Sequence, residues 1–186
     1  MKRILAFVLA LAMALCLCSC SSAQTEEELE KELCDLLEQG VGLAKDVYLG
    51  EGLEANVPED AVIDPYAPTA YFPVVEGGYK SVDDIKKATR AIFSSQLCES
   101  WLYPDGFGTD TPLYKDADGV LYVDIFGGPL TAYGVEWVYD SFELTNHTDL
   151  SATATVKKYI NDYEEVTATV TFVMTDDGWR IDSPLF

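Results

Sequence analysis

His147 is the only histidine in this chain of 186 residues. It lies in Leu144-Thr145-Asn146-His147-Thr148-Asp149, a polar turn between two strand-like segments. A general base needs a nucleophile oriented against it in a concave, apolar setting. No Ser or Cys elbow of a hydrolase accompanies this histidine, so it reads as an exposed turn residue. The acids offer no better start. Asp116-Ala117-Asp118-Gly119 has part of a calcium loop, which also needs an acid two residues earlier and a Glu seven positions after the second Asp. Tyr114 and Ile125 stand there instead. The segment therefore reads as a hairpin turn, with Asp-Gly supplying positive φ. No pair among the 32 Asp and Glu sits in an apolar or aromatic context that would raise one carboxyl for glycoside hydrolysis. Phosphate loops and dinucleotide fingerprints are missing too. The expectation is a chain with no catalytic set, no metal and no cofactor.

Cysteine carries the clearest chemistry. Met1-Lys2-Arg3 is a short positive start, and Ile4 to Cys18 is an unbroken apolar run, too short to span a bilayer comfortably and matching a secretory signal. The run closes on Leu17-Cys18-Ser19-Cys20, with Leu at −3 and a small residue at −1 before cysteine, the pattern of a bacterial lipoprotein signal. Cys20 is thus the expected lipidation site, with residues 1–19 as signal peptide and 20–24 as tether. The remaining cysteines are Cys34 and Cys98. In an exported chain they could form a disulfide, whose 64-residue loop would stabilise by about 4 kcal/mol if unstrained. They could equally be two free thiols packed as small hydrophobes.

One segment has the composition of a recognition loop. Phe126-Gly127-Gly128-Pro129-Leu130-Thr131-Ala132-Tyr133-Gly134 joins two strong strand signals with three glycines, a proline and apolar side chains. Connections between strands are ordinarily polar, so Phe126, Gly127, Gly128, Leu130 and Tyr133 are the candidate partner-binding residues. The opposing reading folds these side chains back onto the sheet edge. Tyr103 to Phe107 is a weaker candidate of the same kind.

The elements that would position this loop follow from hydropathy. Thr25-Glu26-Glu27-Glu28 is a capping box, and Leu29, Leu33, Leu36, Leu37, Gly40, Ala44 and Val47 recur at helical spacing to about Leu49. A short strand is expected around Tyr71 to Val75. Ser81-Val82-Asp83-Asp84 opens a second helix, with Val82, Ile85, Ala88, Ile92, Phe93 and Leu97 as its buried stripe. From Leu113 onward strand signals dominate: a hairpin about Asp116–Gly119, Val135 to Leu144, the alternation of Ala152, Ala154 and Val156, that of Val166 to Met174, and Trp179 to Asp182. Helices first and an antiparallel meander afterwards predict one α+β domain over residues 25–186, with the N-terminal helices packed on one sheet face.

Charge narrows the partner. The chain carries 32 acidic and 12 basic residues, a net −20, with 48% hydrophobic and 12% aromatic residues. That is too apolar for a disordered acidic tail and too poor in Lys and Arg for nucleic acid. Loss of residues 1–19 removes Lys2, Arg3 and no acid, leaving −22. Residues 25–64 hold 13 acids against Lys31 and Lys45, whereas Lys80, Lys86, Lys87 and Arg90 gather at the second helix. An acidic surface is thereby aimed at a basic partner.

The order of segments resembles a known family. An exported N-terminus and an amphipathic helix lead to Tyr71-Phe72-Pro73-Val74, then Tyr79-Lys80-Ser81-Val82-Asp83-Asp84-Ile85-Lys86-Lys87 and Asp118-Gly119-Val120-Leu121-Tyr122-Val123. A closing hairpin runs through Val170-Thr171-Phe172-Val173 and Asp177-Gly178-Trp179-Arg180-Ile181-Asp182. This order is similar to the IseA-type inhibitors of cell-wall DL-endopeptidases, exported proteins of Gram-positive bacteria. The resemblance implies a non-enzymatic regulator of autolysins. Its partner would be a secreted NlpC-type peptidase with a basic surface, met at the outer face of the cytoplasmic membrane. The membrane would be touched only through the lipid anchor. The closing hairpin is equally at home in nuclear-transport-factor-two-like modules. Those would bind a small molecule or peptide on sheet-face aromatics such as Trp137, Tyr139 and Trp179.

Overall fold

Thr25 starts the first helix as a reciprocal cap: its hydroxyl accepts from the Glu28 N–H at 3.2 Å, and the Glu28 carboxylate accepts from the Thr25 N–H at 2.9 Å. From there α1 (Glu26–Leu43) runs into a wider, π-helical turn, Ala44–Tyr48. Leu29, Leu33, Leu37 and Val41 form its buried stripe, and its acids other than Glu30 are exposed. The structure, a computed structural model, describes residues 24–49, 52–75, 78–108, 110–127, 134–161 and 163–186. The signal segment and Cys20 lie outside the described residues.

The chain is α+β, and its described residues form two antiparallel sheets. The first has the order β1-β3-β2, from β1 (Tyr71–Pro73), β2 (Tyr114–Ala117) and β3 (Val120–Asp124). The second is the expected meander, β4 (Val135–His147), β5 (Ser151–Ile160), β6 (Glu164–Thr175) and β7 (Gly178–Ile181), in sequential order. The β2–β3 hairpin turns on Asp118 and Gly119 at φ 52° and 76°, the two positive values of a tight hairpin turn. A single sheet carrying all strands was the simpler expectation. The hairpin instead pairs back to β1, and Gly127, at φ 92°, turns the chain out of β3 before β4 begins.

The second helix is shorter than its stripe suggests. Ser81 caps α2 (Val82–Arg90), and the Asp116 carboxylate accepts from the Val82 N–H at 3.1 Å. Beyond Arg90 the chain runs beside β7: the Ile181 N–H donates to Ile92 O and the Ser94 N–H to Ile181 O, both at 2.8 Å. Ladder pairing with an exposed strand edge outcompetes three more helical residues there, and helical turns resume at Ser95–Leu97, Cys98–Leu102 and Tyr103–Phe107. One continuous core joins α1, both sheets and these turns.

Helix α1 crosses the meander from β7 to β4. Gly40 permits the crossing, because a Cβ there would collide with the Ile181 side chain and lie 3.3 Å from Phe93 and Ile92. At its other flank α1 follows the outer edge of β4. Glu30 accepts from the Leu144 N–H at 3.1 Å, the Cys34 thiol faces Tyr139 O at 3.8 Å, and the Lys45 ammonium donates to Val135 O at 3.1 Å. Side chains of a helix thus occupy part of the row of backbone groups that an edge strand leaves open. Within β4, Tyr139 to Phe142 bulge out opposite Val156 alone. Ser141 repairs the gap, donating to Val138 O at 2.6 Å and accepting from the Lys157 N–H at 2.8 Å.

Candidate functional site

Asp124 ends β3 and is 4% exposed. A buried carboxylate must find donors, and it takes the Ala70 N–H at 2.9 Å and the Phe126 N–H at 3.2 Å. Its own carbonyl accepts from the Gly127 N–H, and the Ile125 N–H donates to Ala70 O. One side chain therefore fixes the base of the glycine-rich connection to the chain entering β1. Phe126, held by this clamp, is 44% exposed, so its ring projects more than an ordinary core aromatic. Of the sequence-predicted contact residues, Phe126 and Gly127 are at the clamp; Gly128, Leu130 and Tyr133 lie outside the described residues.

Ile125 joins Gly52, Leu53, Glu54, Ala55 and Val57 in lining a groove of about 560 Å³. Its wall is stitched to the first sheet: the Asn56 N–H donates to Pro73 O at 2.7 Å and the Val75 N–H to Glu54 O at 2.9 Å. Tyr114 holds the wall from inside, donating to Val47 O and accepting from the Leu53 N–H, both at 2.7 Å. Gly52 closes over this hydroxyl at φ 71°, where a side chain would both strain and clash. Burial pushes the Tyr114 phenol far above its ordinary range, so it stays a neutral strut. Glu54 in this wall is exposed, and the segment that follows carries exposed Glu59, Asp60 and Asp64, with Val62 and Tyr66 more than nine-tenths exposed. The arrangement is an apolar knob, Phe126, next in sequence to Ile125 of a groove with mixed polar and apolar lining that includes Glu54. It offers contact area and charge, and no nucleophile–base pair.

Other sequence candidates settle as follows. His147 ends β4 as an exposed residue. Among the described residues no group of three His, Cys, Asp or Glu is placed to hold a metal ion, and no helix is long and apolar enough to cross a membrane. Cys34 and Cys98 are free thiols, so the disulfide alternative is not realised. Cys34 is turned to β4, whereas Cys98 is fully buried and faces Phe93 O at 3.9 Å. Burial raises both thiols, and Asp35, Glu38 and Glu30 raise Cys34 further. Tyr103 is a core residue, not a contact residue. It is 6% exposed, donates to Lys86 O at 3.0 Å, and lies with Phe107 beneath the Lys86 ammonium.

Sequence reasoning missed Asp124 and the groove wall at 52–57. The available signal was a carboxylate directly after Leu121-Tyr122-Val123 and before the glycines, where a strand end would otherwise bury an apolar residue. No protein-family model matches the chain, and no curated protein is found to be similar to it.

Proposed function

We propose that this protein is a lipid-anchored extracellular inhibitor of peptidoglycan DL-endopeptidases, blocking the catalytic cleft of an NlpC-type autolysin by protein–protein contact. Cys20 is the anchor, and the role is non-enzymatic. The observation that carries the reading is the Asp124-clamped turn, which presents half-exposed Phe126 directly after Ile125 of a groove that also holds Glu54. A rigid knob inserts into a cleft at low conformational cost. Acids such as Glu54 attract a basic-rimmed partner and raise the encounter rate. The segment order shared with IseA-type inhibitors supports the same reading.

The test uses residues 21–186 with purified NlpC-type endopeptidase domains and measures muropeptide cleavage. Submicromolar inhibition that weakens as salt rises is expected. Phe126→Ser should weaken it at least about tenfold, the loss usual for a central apolar anchor. Full cleavage in the presence of excess protein, across the endopeptidases of one host, rejects the proposal.

A further inference from the structure

The first sheet packs one face inward and leaves the other open. Leu121 and Val123 of β3 are buried together with Tyr114 of β2. The alternate positions face the other way: Tyr71 and Pro73 on β1, Val120 and Tyr122 on β3, Lys115 and Ala117 on β2. None of these six is buried; Val120 is 41% exposed, and Val75, two residues beyond β1, is 37% exposed. The open face of an antiparallel sheet is ordinarily polar. Here Lys115 is the only charge among the six, and its ammonium lies 3.4 Å from the centre of the Tyr71 ring. Exposed apolar surface that is contiguous in this way marks a contact.

The two ends of this sheet complement one another. At the Val75 end lies a groove of about 550 Å³, lined among others by Val75, Val120, Tyr79 and Lys80. Gly119 is in its wall, and an added Cβ there would meet nothing within 4 Å. Ala55 pairs antiparallel with Val74, and the Asn56 N–H donates to Pro73 O, so this segment runs toward the Tyr71 end. The chain leaves the sheet there and returns at Ala70, whose N–H donates to Asp124. Within the excursion Val62 is 99% and Tyr66 93% exposed. The Ala61 N–H donates to Pro58 O at 3.0 Å, the Ala67 N–H to Asp64 O at 3.1 Å and the Tyr66 N–H to the Asp64 carboxylate at 2.9 Å, so both side chains stand on stiffened turns. Its charges are Glu59, Asp60 and Asp64, all exposed, and no Lys or Arg occurs between Lys45 and Lys80. Lys80 and Lys115 make no ion pair among the described residues. One end thus carries an apolar, acidic knob, and the groove and open face are apolar and basic.

We infer that the open face of the first sheet is the interface of a homodimer, in which each copy places Val62 and Tyr66 in the groove at Val75 and Val120 of the other. A two-fold axis lying in the interface and perpendicular to β1 stacks the two open faces with their strands reversed. Each knob then meets the opposite end of the other sheet, the same contact forms twice, and the assembly closes at two copies. Glu59, Asp60 and Asp64 of one copy face Lys80 and Lys115 of the second, while Pro73 and Tyr122 of the middle row cover one another across the axis. The contact uses no peptidase and does not rest on the inhibitory reading.

Sedimentation equilibrium of residues 21–186, which contain every described element and the core, tests this with reductant present. Salt is held at about 0.15 M, where screening over about 8 Å limits repulsion between two acidic copies. A monomer–dimer equilibrium between micromolar and about 1 mM protein is expected. Val62→Ser with Tyr66→Ser should weaken it about tenfold or more, the loss usual for a central apolar anchor. Val120→Glu should do the same from the groove side, by setting an acid against the acidic knob. All three positions are exposed, so circular dichroism should show the fold unchanged. Tyr163→Ser, at an equally exposed tyrosine in the turn between β5 and β6, should leave the equilibrium unchanged. Mixing the knob variant with the Val120→Glu variant leaves one knob and one groove intact, so the mixture should associate more tightly than either variant alone. A protein that stays monomeric to about 1 mM overturns the inference. So do assemblies that grow beyond two copies, a dimer indifferent to the knob variant, and a mixture no tighter than its components.

Discussion

At the scale of single residues, buried polar groups with defined partners do most to hold the candidate site in shape. Asp124→Ala should destabilise by about 1–3 kcal/mol, because the Ala70 and Phe126 N–H groups lose their acceptor. Asp124→Asn should cost less, since the amide oxygen still accepts. Urea unfolding gives the energies, and faster hydrogen exchange at those two amides shows that the turn has loosened; unchanged exchange in Asp124→Ala would contradict the clamp. The thiols give a second expectation. Without reductant, unfolded residues 21–186 should release two thiols, Cys34 and Cys98, to Ellman's reagent. In the folded state Cys98 should be unreactive and Cys34 slow, because burial and three carboxylates disfavour its thiolate. Finding no free thiol after unfolding would restore the disulfide. Much at this scale was legible in advance: Thr25 with Glu28, Ser81 with Asp84, and Asp118-Gly119 each carry their local partner within four residues. Asp124 was not, because its donors come from a residue 54 positions away and from its own turn.

At the scale of elements, the two glycines in the last part of α1 separate packing from propensity. Alanine favours a helix over glycine by about 1 kcal/mol. Gly42 has nothing within 4 Å of an added Cβ, so Gly42→Ala should stabilise by about that amount. Gly40→Ala gains the same propensity but forces a methyl against Ile181, Phe93 and Ile92, and overpacking a core costs about 1–3 kcal/mol. It should be net destabilising. Urea midpoints of the two variants moving in the same direction would refute the close crossing of α1 over β7. The period-two runs of β5 and β6 were readable because one apolar face is enough to fix a strand. The bulge in β4 had one signal, the broken alternation of Tyr139-Asp140-Ser141-Phe142 with two polar residues side by side, which does not by itself say that four residues face one. The split into two sheets had none, since it rests on the pairing of β3 with β1 rather than on any feature of β3 alone.

At the scale of the molecule, charge opposes compactness. Three ion pairs occur among the described residues, all with exposed partners, and such pairs contribute little. A net −20 is then chiefly self-repulsion. Sodium chloride raised from a few millimolar to about 0.15 M shortens the screening length to about 8 Å. The Tm should rise over that range; a fall would mean that the surface pairs outweigh the repulsion. The same salt should weaken binding to a basic peptidase, so folding and recognition respond to ionic strength with opposite signs. Composition alone revealed the acidity. It did not reveal that Glu54 stands in the groove wall with Ile125, because the stitching of 54–56 to Pro73 and Val75 creates that neighbourhood.

The crossing of α1 over β7 and β4 also sets an order in time. The contacts of Glu30 with Leu144, Cys34 with Tyr139, and Lys45 with Val135 span 114, 105 and 90 residues. A chain synthesised or threaded from its N-terminus releases α1 first, with Leu29, Leu33, Leu37 and Val41 unsheltered until β4 to β7 have followed. The helix waits through most of the chain's emergence for the surface that covers it. A transcript or cleavage product ending before Gly178 would leave Gly40 without Ile181, and with it an apolar stripe open to chaperones and proteases.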